Sequence, residues 1–137
     1  RDGVEIVEQL EPHLPPVYVQ AGPIQQVLLN LVQNGRDALR GGAGFGRIVV
    51  RTWHDDGAVR LIVEDDGPGV PRNIRERIFE PFFTTKEKGK GTGLGLSVCR
   101  TIAAAHGGDL FIQEPERGTR FVLHLPAADS AARTALN

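Results

Sequence analysis

The 137-residue chain carries 16 Lys and Arg against 17 Asp and Glu, and it is 40% hydrophobic and 24% charged. That length is one domain's worth, and a formal net charge of -1 offers nucleic acid or a membrane surface no overall attraction. One cysteine, Cys99, leaves no disulfide framework and suits a reducing cytoplasm, and no apolar run approaches the ~20 residues that span a bilayer.

The chain opens in mid-pattern on Arg1-Asp2-Gly3-Val4, which reads as a piece of a longer protein whose other parts are free to carry an anchor. Residues 3–10 and 17–20 are short β-type runs separated by Pro12, Pro15 and Pro16. Pro23 sits in the first turn of an amphipathic helix that reaches Arg40, where Gly41-Gly42-Ala43-Gly44 stops it. Residues 48–53 and 59–63 read as strands joined by the hairpin signal Asp55-Asp56-Gly57. From 66 to 93 the chain is rich in Gly, Pro and charge, a long loop with a short helix near 74–79. Loops of that length in compact domains are usually functional, and the closing glycine cluster favours a lid. Residues 94–106 are helical, with Leu94, Val98, Ile102 and Ala105 on one side and Gly107-Gly108 as the stop. Strands at 109–113 and 120–125 flank a turn at Glu116-Arg117-Gly118, and residues 127–137 read as a frayed tail. Without strict βαβ alternation, these elements predict an α/β (α+β) two-layer sandwich. Its sheet is mixed but largely antiparallel, packed on about three helices, over residues 1–126.

Three stretches carry chemistry. On the helix at 23–40, Leu28, Leu31, Gly35 and Leu39 fall within about 60° of Ile24 and form the core stripe. Asn30, Asn34 and Asp37 share a separate sector beside it, and amide oxygens there suit Mg²⁺, which keeps water and phosphate for the rest of its shell. The strand at 59–63 runs into Glu64-Asp65-Asp66-Gly67-Pro68-Gly69-Val70, where a carboxylate can accept from an exocyclic amine while glycines let a flat ring approach. Gly89-Lys90-Gly91-Thr92-Gly93-Leu94-Gly95-Leu96-Ser97 leads into a helix whose free N–H groups suit phosphate, with Lys86, Lys88 and Lys90 adding charge. It is not a Walker A loop, because Gly91 follows Lys90, and it is not a Rossmann loop, because a long loop precedes it. Taken singly, each stretch also reads as boundary polar residues, an Asp-Gly turn or a glycine hinge.

Their order is what distinguishes them. Asn30-Leu31-Val32-Gln33-Asn34, Asp65-Asp66-Gly67-Pro68-Gly69, Ile78-Phe79-Glu80-Pro81-Phe82-Phe83-Thr84-Thr85-Lys86 and Gly91-Thr92-Gly93-Leu94-Gly95-Leu96 resemble the N box, first glycine box, F box and second glycine box of sensor histidine kinases. These belong to the superfamily of gyrase, Hsp90, histidine kinase and mismatch-repair ATPases, with the Bergerat-type ATP-binding fold. Gly118-Thr119-Arg120-Phe121 looks like its last glycine-threonine motif, and the resemblance spans roughly residues 3–126.

The resemblance implies ATP and Mg²⁺ as ligands. Asp65 would accept the adenine amino group with Thr119 beside it, and Gly67, Gly69 and Val70 would shape the adenine pocket. Asn34 would ligate Mg²⁺ and Asn30 would sit near the phosphates. Residues 66–93 would form the ATP lid, docked by Phe79, Phe82 and Phe83. Gly91, Thr92, Gly93, Leu94, Gly95 and Leu96 would wrap the phosphates, with Lys86 or Lys90 as charge partners. Two positions depart from the wider pattern. Hydrolytic relatives place a Glu at position 30 as base for water, and an amide cannot take that proton. Many sensor kinases place Lys or Arg at position 37, where this chain has Asp37.

His13, His54, His106 and His124 lie outside any His-Glu or His-Asp box, so the phosphorylated histidine is expected on a separate dimerisation domain of the same parent, with a response regulator downstream. Competing expectations are a gyrase- or chaperone-type ATPase clamp, a nucleotide-dependent docking module and an anti-sigma-type serine kinase. Each fits one part of the pattern less well: the missing base, the retained phosphate boxes and the phenylalanine-rich lid, in turn. The isolated domain is expected to bind ATP with little turnover and to contact neither nucleic acid nor membrane.

Overall fold

The computed structural model describes residues 3–55, 57–83, 95–115 and 117–128. Five strands, β1 (Val4–Gln9), β2 (Gly46–Asp55), β3 (Ala58–Asp65), β4 (Asp109–Gln113) and β5 (Thr119–Pro126), form one sheet in the order β1-β2-β3-β5-β4. β1 runs parallel to β2, and the other three pairings are antiparallel. Helices α1 (Ala21–Gly41) and α2 (Gly95–Ala105) pack on one face of the sheet and complete the expected sandwich. The short helix expected near 74–79 is instead two single 3-10 turns, Arg72–Ile74 and Arg77–Phe79.

Period-two alternation decides which side chains meet the helices. Leu61 and Val63 of β3 join Phe121, Leu123 and Leu125 of β5 in the core, against Val27, Leu31 and Leu39 of α1 and Cys99 and Ala103 of α2. The intervening residues form the outer face, where Ile62 and Val122 are buried among charged neighbours. There Arg120 meets Glu64 at 2.8 Å, Arg60 meets Asp55 at 3.0 Å, and the Arg60 guanidinium lies 5.1 Å from the centre of the Trp53 ring. The buried stripe of α1 is Val27, Leu31, Gly35 and Leu39, with Ile24 and Leu28 at its margin. It is turned toward Val27 because α2 packs on that flank, with Cys99 Sγ 4.0 Å from the Val27 carbonyl.

Two expectations need correcting. Residues 17–20 form no strand, since β1 already occupies the edge of β2 and Pro15 and Pro16 supply no N–H groups. The segment's polar groups serve helix ends instead. The Gln20 N–H donates to His106 Nε2 at 3.1 Å, and the Gln20 carbonyl accepts from Ile24 at 3.3 Å. Ala127 and Ala128, expected to open a frayed tail, are both 7% exposed. Their N–H groups donate to the carbonyls of Gly57 at 2.9 Å and Pro16 at 2.7 Å. Residues 129–137 lie outside the described residues.

One glycine is indispensable to the turn before β5. Gly118 has a φ of +88°, and a Cβ there would overlap the backbone carbonyl oxygen of Asp65. The turn therefore closes directly onto the end of β3. Gly118→Ala should lower unfolding free energy by about 2 kcal/mol or more, since left-handed strain alone accounts for ~1–2 kcal/mol. Urea unfolding measures this, and an unchanged midpoint would contradict the close approach.

Candidate functional site

Glu64, Asp65 and Asp66 are three successive carboxylates, and the strand sends them to three different places. Glu64 faces the outer side and pairs with Arg120 at 2.8 Å and, more distantly, with Arg51 at 3.9 Å. Asp66 ties down the start of β2, its Oδ1 accepting the Arg47 N–H at 2.8 Å. Asp65 turns inward, two residues beyond Val63, and is 6% exposed. Its Oδ1 accepts the Gly67 N–H at 2.9 Å. Burial pushes its pKa up from 3.8 to about 6 against the lowering by that hydrogen bond, and the carboxylates of Asp66 and Glu64 push in the same direction as burial. Thr119, 5% exposed, is its partner across the β3–β5 ladder. The sequence-predicted pair Asp65 and Thr119 is thus brought together.

Helix α1 reaches this carboxylate because Gly35 has no side chain. A Cβ there would lie 3.1 Å from Ile48 Cδ1 and 3.6 Å from Asp65 Cβ. The same close approach carries the polar edge of α1, Asn30, Asn34 and Asp37, to the rim of the sheet, all three half-buried. Asn30 turns toward α2, its Nδ2 donating to the Gly95 carbonyl at 3.4 Å and to Cys99 Sγ at 3.4 Å. Burial raises the Cys99 pKa and keeps it a thiol. Gln33 Nε2 donates to Asp37 Oδ1 at 2.9 Å.

Gly67, Gly69, Val70 and Thr119 line a cavity of about 820 Å³, together with Phe45, Pro68, Arg75, Ile112 and Arg117 among others. Asn30, Asn34, Asp37 and Asp65 are not among its walls, so the cavity and the polar edge of α1 are separate features. Gly67 touches both sides, because a Cβ on it would lie 3.0 Å from Asp65 Oδ1 and 3.7 Å from the Ala38 backbone.

The chain beyond Val70 is anchored at three points. Arg75 and Arg72 meet Glu114 at 2.8 and 3.2 Å, and the hydrogen bond from Arg75 holds that carboxyl below its ordinary range. Phe79, 6% exposed, lies edge-on to Phe121 at 6.2 Å, with the Arg100 guanidinium 3.9 Å from its ring centre. Arg77 sits 4.8 Å from the centre of the Phe83 ring. Phe82, expected to dock the lid, does not pack on the described core: it is 74% exposed and has a φ of +68°. Leu96 packs against the core at the start of α2, next to Gly95. Lys86, Lys90, Gly91, Thr92, Gly93 and Leu94 lie outside the described residues.

Three of the four histidines have structural employment. His54 Nδ1 lies 2.7 Å from Glu11, and His124 Nδ1 accepts from Arg60 Nε at 3.4 Å. His106 accepts from Gln20 through Nε2, so its Nδ1 carries the proton offered to the Ile102 carbonyl at 2.8 Å. Among the described residues, no group of three or more His, Cys, Asp or Glu could hold a metal ion. No described helix is long and apolar enough to cross a membrane.

Sequence reasoning placed Gly35 in the core stripe without its approach to Asp65, and it missed Gln26 and Arg100. Gln26 was readable as the i−4 neighbour of Asn30, to whose Oδ1 its Nε2 donates at 3.0 Å. Contacts of Gly35 and Arg100 join residues far apart in the chain, and local pattern carries no trace of them.

Residues 20–129 match the family described as histidine kinase-, DNA gyrase B- and HSP90-like ATPase. The chain belongs to that family. It is 46% identical over 116 residues to the two-component sensor PprA of Pseudomonas aeruginosa, a match covering 82% of this chain and 13% of PprA. It therefore spans a small part of such a relative. The nucleotide-free catalytic domain of histidine kinase ThkA superposes with a TM-score of 0.79 at 35% identity, covering 92% of this chain and 82% of that one. Full-length ShkA in complex with AMPPNP superposes with a TM-score of 0.79 at 33% identity, covering 93% of this chain and 26% of that one. The chain is thus a histidine kinase-type catalytic domain in sequence and fold.

In this domain of the family, the buried Asp65 makes stability depend on pH. The folded state takes up its proton near pH 6 and the unfolded chain near 3.8, so between these values the native state holds the extra proton. The contribution is fully present below 3.8 and is lost as pH rises through about 6, a span worth about 3 kcal/mol. Urea unfolding of the parent and Asp65→Asn across this range should show the parent gaining stability on the variant by about that amount as pH falls from 7.5 to below 4. Identical pH profiles would refute the assignment.

Proposed function

We propose that the chain is the ATP-binding phosphoryl-donor domain of a two-component sensor histidine kinase. It passes the γ-phosphoryl group of Mg·ATP to a histidine on a dimerisation domain of the same parent, which in turn serves a response regulator. The observation that carries the reading is a buried carboxylate, Asp65, paired with Thr119 on the sheet and approached by α1 at Gly35, the residue after Asn34. A carboxylate held there accepts the adenine amino group, and Gly67, Gly69 and Val70 leave the ring room. Residues 1–126 form the catalytic unit and residues 66–93 its lid. Within the lid, Gly91, Thr92, Gly93 and Leu94, continued by Gly95 and Leu96, surround the phosphates, with Lys86 or Lys90 neutralising charge.

The residues present fit an Mg²⁺ ion that arrives with the triphosphate. Among the described residues no acidic cage exists for a resident ion, whereas the Asn34 amide oxygen supplies one hard ligand and leaves the rest of the shell to phosphate and water. Such an ion neutralises charge on the transferring group. Position 30 supports transfer over hydrolysis, because Asn30 offers no carboxylate to take a proton from water. The reading places the domain in the cytoplasm, where ATP is.

Two measurements test it. Calorimetric titration with Mg·ATP should give binding to the parent and a loss of about 100-fold in Asp65→Asn, as expected when a buried charged hydrogen bond is removed. Equal affinity would sink the adenine assignment. Mixing the domain and ATP with the parent's separately made dimerisation domain should yield acid-labile phosphohistidine, with little phosphate release in its absence. No label while ATP is bound would sink the donor reading.

A further inference from the structure

Asn30 is expected beside the phosphates, yet its amide is engaged on both sides by the protein itself. The Gly95 carbonyl can only accept, so the NH₂ group of Asn30 must face α2, where it is 3.4 Å from Gly95 O and 3.4 Å from Cys99 Sγ. That orientation leaves Oδ1 to Gln26, whose Nε2 donates to it at 3.0 Å from one turn back on α1. Gly95 is the residue at which the chain enters α2. We propose that Asn30 is a positioning residue whose amide pins the first turn of α2 to the middle of α1, with Gln26 holding the amide in the pinning orientation.

The chemistry explains why position 30 takes an amide. A carboxylate there would offer no donor to the Gly95 carbonyl and would set negative charge against a carbonyl oxygen and a thiol sulfur. Replacing Gln26 by an acceptor-only side chain would call the NH₂ group of Asn30 back toward α1 and turn its oxygen on Gly95, breaking the pin without touching Asn30. The consequence for transfer rests on the reading above, in which the residues leading into Gly95 surround the phosphates. The pin itself does not.

The test is hydrogen exchange of the chain without nucleotide, read at the amides of residues 99–102, which close the first turns of α2. Asn30→Asp and Gln26→Glu should each speed exchange there by about tenfold or more, while β3 and β5 keep the parent's protection. Gln26→Leu, which forces no reorientation, should do so much less. The Gln26→Glu effect, measured against the parent at the same pH, should recede toward pH 4 as the new carboxyl takes up a proton near ~4.3 and regains a donor. Gln26 is exposed, so its variants report even where Asn30→Asp fails to fold. Unchanged exchange in Asn30→Asp, together with weaker Mg·ATP binding, would overturn the pin and place Asn30 directly on the ligand. Faster exchange throughout β3 and β5 would also overturn it, as general destabilisation. Because exchange is read without nucleotide, failure of the parent to bind Mg·ATP would count against the proposed function and not against the pin.

Discussion

The approach of α1 to the sheet at Gly35 governs what the rest of the molecule can do. With no Cβ at that position, the helix backbone rests on Ile48 and on the flank of Asp65. A second glycine works from the opposite direction, where Gly118 lets the β4–β5 turn close on the Asp65 carbonyl. The carboxylate is thereby walled in by a helix and a turn, and among the described residues it accepts one hydrogen bond, from the Gly67 N–H. Burial outweighs that bond and holds the group near pH 6. An acid kept so poorly solvated is costly for the fold and useful for recognition, because an incoming donor restores what folding removed.

The neighbouring acids show how narrowly this is arranged. Glu64 and Asp66 each have a strong local partner, the Arg120 guanidinium in one case and the Arg47 N–H in the other. Asp65, between them, has one backbone donor among the described residues. Strand alternation separates Glu64 from Asp65, so only the inner one meets the helix, and Asp66 follows the end of β3. A register slip of one residue would exchange the roles of all three.

This logic explains what the sequence could and could not disclose. The helical period around Ile24 and the hairpin signal before Ala58 were local, and the helix and the two strands are present. The Asp65–Thr119 pairing was legible through family resemblance, since 54 residues separate the two positions and no local rule joins them. Residues 17–20 misled because β-type composition says nothing about whether a sheet edge is free, and β1 had taken it. Gly35 was legible as part of the core stripe and Gly118 through the glycine-threonine motif, but the close approach each one permits was not. Their importance lies in the partner each approaches, and that is fixed only when the layers close.

The same closure fixes both borders of the segment 84–94. On its N-terminal side, Phe79 is held between the Phe121 ring and the Arg100 guanidinium, and Arg100 also donates to the Leu110 carbonyl at 3.2 Å. On its C-terminal side, Gly95 is held by Asn30. Arg100 and Gly95 both belong to α2, so a single helix receives the chain before and after the segment. Any movement of α2 relative to α1 would shift both borders together. The contact between α1 and α2 is therefore the element that sets where both borders lie, and under the proposed function where phosphate would be met.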